Sequence, residues 1–248
     1  NNVSSINEII STRNHSEIML KNMGALIEGK GSKIIVHPLK SKLKSIDISV
    51  PSDPSSAAFF AALAVINSDS KLKLTNVLLN ESRIGFTEVL NKMNCSISKS
   101  NEFVHNGEKV GDLTFNSSNL KATEIESDTI PSIIDEVPIL AVVAAFAKGT
   151  TVFKNVEELK YKECDRLSAI IHNLEAFGIK AYEKNNDLFV EGGKVKRMPK
   201  ITTFDDHRIA MAFTILSLTS FKKYELDNRS CVDISLPNFF NYLREITK

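Results

Sequence analysis

An internal repeat limits what this chain can fold into more than any other feature. Thr12 to Met23 lies over Ser82 to Met93 at one constant offset, with Arg13/Arg83, Leu20/Leu90 and Met23/Met93 in register and Ile27/Ile97 extending the match. In both copies a polar cap precedes apolar positions at helical spacing, followed by a turn and a short β-like stretch. A second alignment pairs the small apolar helices Ala61 to Val65 and Ala141 to Ala145. It continues through the strands Leu72 to Val77 and Thr151 to Val156, each leading to an Asn turn, and through Leu90 to Met93 and Leu174 to Phe177. A last copy runs from Asp206 and a helix over Ile209 to Leu218, through a strand over Tyr224 to Asp227, to a closing helix over Phe239 to Ile246. Each unit reads as helix, strand, helix and strand pair, which predicts an α/β fold of repeated small layers.

The repeat also suggests boundaries. Asn1 to Met23 supplies only the second half of a unit and the chain has no initiator Met, so it reads as truncated at its N-terminus. Val50-Pro51-Ser52-Asp53-Pro54 combines two prolines with turn formers ahead of a capped helix, which marks a domain boundary. Residues 1–50 are then the tail of one domain and residues 51–248 a complete second one.

Composition removes several function classes. With 42% hydrophobic and 25% charged residues in 248, the chain is a globular one with material for one large or two modest cores. A net charge of +1, no Trp and few aromatics argue against a nucleic-acid surface, and Lys40, Lys42, Lys44 and Lys194, Lys196, Arg197 read as solvated loops. Cys95, Cys164 and Cys231 suggest neither disulfide framework nor zinc knuckle, and the five histidines show no ligand pairing, so no metal is expected. The longest apolar run, Val137 to Ala147, contains Pro138 and is too short for a membrane span. A cytoplasmic setting is expected.

Three charged constellations sit at helix entrances. Asp135-Glu136 precedes an almost wholly apolar helix; the pair either favours the helix dipole or holds a base at the edge of a dry pocket. In Lys162-Glu163-Cys164-Asp165-Arg166, Lys162 and Arg166 are expected to share the face of a first helical turn, where cations oppose the dipole unless an anion lies between them. A solvated charged turn is the alternative. Asp205-Asp206-His207-Arg208 again puts an Arg at the mouth of an apolar helix, with His207 expected to cap or bond locally. Together these places offer carboxylates for proton transfer and cations for a phosphorylated, carboxylated anion. No Gly-rich phosphate loop is present, which disfavours nucleotide chemistry.

Lys162-Glu163-Cys164-Asp165-Arg166 resembles the KE[ST]DR signature of the EPSP synthase family, and Asp206-His207-Arg208 its DHR signature. Ser52 to Phe59, Ile134-Asp135-Glu136 and Leu236 to Phe240 match further family segments in the same order, closest to the bacterial class II type. The resemblance implies an inside-out α/β barrel of enolpyruvyl transferase units, two domains of three units each, with substrates in the cleft between them. It implies transfer of the enolpyruvyl group of phosphoenolpyruvate to the 5-hydroxyl of shikimate 3-phosphate, in aromatic amino acid biosynthesis, without metal or redox cofactor.

By that resemblance Asp135 binds the sugar-ring hydroxyls and accepts the 5-hydroxyl proton, and Glu163 serves proton transfer at the methylene carbon. Lys162 contacts shikimate 3-phosphate, Arg166 and Arg208 hold phosphoenolpyruvate, and Arg13 faces the shikimate phosphate from the other domain. Cys164 replaces the usual Ser or Thr, and Ile234 stands where class I enzymes carry a phosphoenolpyruvate-binding Lys. The family's N-terminal substrate-binding groups have no counterpart, so the expected partner is the missing N-terminal portion, and the chain alone is expected to be inactive. The alternatives are a UDP-N-acetylglucosamine enolpyruvyl transferase and a non-catalytic anion-binding remnant.

Overall fold

The structure, a computed structural model, describes residues 2–9, 12–30 and 32–247. In chain order its elements are β1 (Ser4–Asn7), α1 (His15–Asn22), β2 (Ile27–Lys30), β3 (Lys33–Val36), α2 (Pro54–Ile66), β4 (Lys71–Leu78), α3 (Gly85–Lys92), β5 (Ile97–His105) and β6 (Glu108–Asn116). There follow β7 (Glu124–Ile125), α4 (Ile130–Ile133), α5 (Val137–Ala145), β8 (Thr150–Phe153), α6 (Arg166–Ala176), β9 (Ala181–Lys184), β10 (Asp187–Glu191), α7 (His207–Phe221) and α8 (Phe239–Ile246). The repeat expected from sequence is the architecture: α1 with β2 and β3, α3 with β5 and β6, and α6 with β9 and β10 are copies of one helix–hairpin piece.

The copies share local chemistry. Each helix ends with a residue of positive φ, Gly24 (98°), Asn94 (72°) and Gly178 (84°). The next N–H then bonds back to a leucine carbonyl, Ala25 to Leu20, Cys95 to Leu90 and Ile179 to Leu174, each at 2.9 Å. This left-handed exit satisfies carbonyls that the helix end would leave unpaired, and Gly or Asn enters it at little steric cost. The Asn turns also match: Asn76 (φ 55°) and Asn155 (φ 49°) each donate a backbone N–H to a carboxylate of the hairpin, Asp112 at 3.0 Å and Asp187 at 2.8 Å.

Three sheets result, with strand orders β1-β3-β2, β4-β6-β5 and β7-β8-β10-β9. Single parallel bridges at Ser52–Val77, Lys121–Lys148 and Ile201–Leu226 start each complete unit. The strand expected over Tyr224 to Asp227 is reduced to that last bridge, because among the described residues no hairpin lies alongside to extend a ladder.

α2 and α5 have no polar face, and every residue of α5 is buried. Such helices are stable only when covered on all sides. α2, α5 and α7 therefore pack on one another in the centre, with the amphipathic helices and sheets outside them. Among the described residues no helix is long and apolar enough to cross a membrane.

Candidate active site

The three central helices begin at the same end of the molecule, and their first turns gather the charged residues. Asp53 caps α2 by accepting the Ser56 N–H at 2.8 Å, and Asp206 caps α7 by accepting the N–H groups of Arg208 (2.7 Å) and Ile209 (3.2 Å). Unpaired N–H groups and the helix dipole give this end a positive potential suited to anions.

Arg166, the first residue of α6, is fully buried there. Its Nε donates to Asp206 Oδ2 at 2.7 Å, its Nη1 to Asp135 Oδ1 at 3.3 Å, and its Nη2 to the Glu163 carboxylate. A guanidinium withdrawn from water needs this full set of acceptors, since each unpaired donor would cost desolvation energy.

Asp135 is the junction. Arg13, arriving from just before α1, donates to Oδ2 at 2.5 Å, and Arg208 Nη2 lies 3.4 Å from the same oxygen. Burial alone would raise its pKa, but the positive charges of Arg208, Arg13 and Arg166 outweigh it and hold the carboxyl at about 2. Arg13, Asp135, Glu163, Arg166 and Arg208 thus form one continuous ion-pair network. An open recess of about 300 Å³ meets the network at Arg13 and Asp135 and is completed by Thr12, Pro131, Ile134, Glu158 and Lys162.

Two expectations fail in detail. Lys162 and Arg166 do not share a helical face. Lys162 is extended (φ −89°, ψ −158°) after a 3-10 turn over Glu157–Tyr161, and α6 begins only at Arg166 with Asp165 as its cap. The cap fixes the reason: the Asp165 side chain takes the Ser168 N–H at 3.0 Å, so the helix cannot start earlier. Lys162 pairs instead with Glu158 at the recess. Nor does His207 cap its helix; Asp206 does, while His207 is buried and its pKa is lowered by burial and then by Arg208.

Sequence reasoning named no separate site role for Asp206 or the Asp53–Arg83 pair, and took Glu136 only as one half of the Asp135-Glu136 pair. Asp206 carried a usable signal, being a cap type directly before an apolar helix. Glu136 carried a weaker one, a carboxylate between Ile133 and Val137. Cys164 lies 3.8 Å from Asp206 Oδ2, and burial followed by that carboxylate pushes its thiol up to about 12, which removes it as a nucleophile. Among the described residues no three His, Cys, Asp or Glu side chains gather as a metal site.

The profile of the family described as EPSP synthase (3-phosphoshikimate 1-carboxyvinyltransferase) matches residues 2–243. The chain belongs to the EPSP synthase family. It is 42% identical over 245 residues to the 3-phosphoshikimate 1-carboxyvinyltransferase of Clostridium tetani, covering 98% of this chain and 55% of that protein. The Helicobacter pylori (strain P12) protein of the same name is 40% identical over 247 residues, 96% of this chain and 57% of its own length. A solved EPSP synthase from Acinetobacter baumannii superposes with a TM-score of 0.92 at 32% identity, over 99% of this chain and 57% of that one. The enolpyruvyl transferase NikO of Streptomyces tendae (TM-score 0.75, 17% identity, 99% of this chain and 56% of that one) shares the fold. The chain therefore spans little more than half the length of each of these proteins.

Proposed function

We propose that this chain is the C-terminal portion of an EPSP synthase of the bacterial class II type. With the N-terminal portion as partner, it would transfer the enolpyruvyl group of phosphoenolpyruvate to the 5-hydroxyl of shikimate 3-phosphate in the cytoplasm. In this reading Pro51 opens one domain, over residues 51–248, and residues 1–50 belong to the tail of the other. The observation that carries the proposal is the network in which three arginines bind Asp135 while Glu163 shares Arg166.

The chemistry follows from that arrangement. Glu163, half exposed at the rim, would protonate the methylene carbon of phosphoenolpyruvate, giving oxocarbenium character at the neighbouring carbon. Asp135 would accept the proton of the 5-hydroxyl as its oxygen forms the new bond to that carbon. Return of a methyl proton to Glu163 and departure of phosphate with the proton held by Asp135 would convert the resulting tetrahedral adduct into the enol ether product.

With its carboxyl at about 2, Asp135 is a weak base while three guanidiniums hold it. Phosphate and carboxylate groups of the substrates compete for the same cations, Arg166 and Arg208 for phosphoenolpyruvate, Arg13 and Lys162 for shikimate 3-phosphate. Their binding would restore the basicity of Asp135 where it is used.

The family match favours this over a UDP-N-acetylglucosamine enolpyruvyl transferase. The test is phosphate release from phosphoenolpyruvate and shikimate 3-phosphate by the chain combined with its N-terminal portion. Turnover is expected from the folded mixture and its loss in Asp135→Asn and Glu163→Gln. Phosphoenolpyruvate binding without turnover in the folded mixture would establish an anion-binding remnant instead.

A further inference from the structure

One carboxyl group lies beneath this site with no substrate role of its own. Glu136 stands at the N-cap position of α5, yet its side chain caps nothing. It turns inward: the residue is 2% exposed, and its Oε1 is buried without a hydrogen-bond partner. Four groups act on its charge: the Ser55 hydroxyl from the first turn of α2, Arg208 from the first turn of α7, its neighbour Asp135, and Arg83 from the approach to α3.

Arg208 has a matching deficit. Its Nε is also buried and unpartnered, while its outer nitrogens reach the Asp135 carbonyl and Oδ2, each at 3.4 Å. Native interiors leave few polar atoms unpaired, and an acid and a cation left so on either side of Asp135 call for a state that uses them.

We propose that Glu136 is a positioning residue that couples protons to anion binding: when an anion engages the outer edge of Arg208, the Glu136 carboxyl takes up one proton from solvent. This rests on the reading of Arg208 as an anion seat. The bound anion offsets the charge that favours ionised Glu136 and adds repulsion of its own. Burial already pushes this carboxyl up to about 7, against the pull of Ser55 and Arg208, so its proton is poised at neutral pH. Ionised, Glu136 offsets part of the Arg208 charge at a distance; protonated, it leaves that charge to the ligand. Linkage then requires anion affinity to fall as pH rises through the Glu136 titration.

The measurement is a pH titration of side-chain carboxyl resonances in the chain labelled with ¹³C-glutamate, Glu136 being assigned by its absence in Glu136→Gln. One glutamate is expected to titrate near neutral pH, and saturating phosphoenolpyruvate should raise its midpoint by about one unit. Arg208→Gln should raise it similarly with no ligand present, and Asp135→Asn should lower it. A Glu136 midpoint in the ordinary carboxylate range, or one unmoved by both Arg208→Gln and phosphoenolpyruvate, overturns the proposal. A response to Arg208→Gln while phosphoenolpyruvate disturbs no arginine resonance would uphold the Glu136–Arg208 coupling and sink Arg208 as the phosphoenolpyruvate seat.

Discussion

Arg83 and Arg166 stand at corresponding places, each at the start of a unit's second helix and each bound to the aspartate that caps a central apolar helix. Arg83 donates to Asp53 at 2.6 Å and to the Ser55 hydroxyl at 3.1 Å, and the Asp53 side chain is 46% exposed. Arg166 and Asp206 are both essentially inaccessible, and Arg166 binds two further carboxylates. Stability alone asks for no more than the first arrangement, a cap tied down by a partly solvated arginine. The second removes a cation from water and then surrounds it with acids, which is costly to build. Under the proposed function, that excess marks the place where the chemistry sits, whereas the Arg83–Asp53 pair needs only a structural role.

The sharpest test is to remove the capping acid from each copy. Asp206→Ala leaves Arg166 short of its best partner and α7 without a cap, and should destabilise the fold by about 3–5 kcal/mol in urea unfolding. An equal loss in both copies would end the distinction. Glu136→Gln probes the acid between them and acts in the opposite direction. The folded carboxyl keeps its proton to about pH 7 against an ordinary glutamate value of 4.5, so wild-type stability is full below about 4.5 and declines as pH rises towards 7. The glutamine variant lacks that decline and should be more stable by about 3 kcal/mol above pH 7, with no difference in acid. Asp53→Ala should cost about 1–2 kcal/mol, a cap plus a partly exposed ion pair. Glu158→Gln, which frees Lys162 on the surface, should change unfolding by less than about 0.5 kcal/mol.

What was legible in the sequence follows from which forces are local. Leu20, Leu90 and Leu174 recur because helix-exit geometry uses their carbonyls, so the repeat they mark was visible without coordinates. The helix over Phe239–Ile246 was placed because its apolar residues fall on one face. The start of α6 was misplaced because Asp165, not the i, i+4 spacing of Lys162 and Arg166, decides where the helix begins. The acids and arginines of the site were named from motifs, but their grouping around Asp135 depends on contacts such as Arg13–Asp135, over a hundred residues apart. Glu136 was hidden because one carboxylate beside another reads as a dipole-favouring pair, and only its burial shows otherwise.

The mutual packing of α2, α5 and α7 has a consequence for how the molecule comes apart. In a linear array of repeats each module touches only those before and after it, so an end can fray while the middle persists. Here every module's central helix meets both others, and the arrangement is closed. Stripping away one module strips apolar cover from the remaining two at once, so residues 51–247 should melt in a single cooperative step, and a fourth module spliced into the series would find no place at the axis.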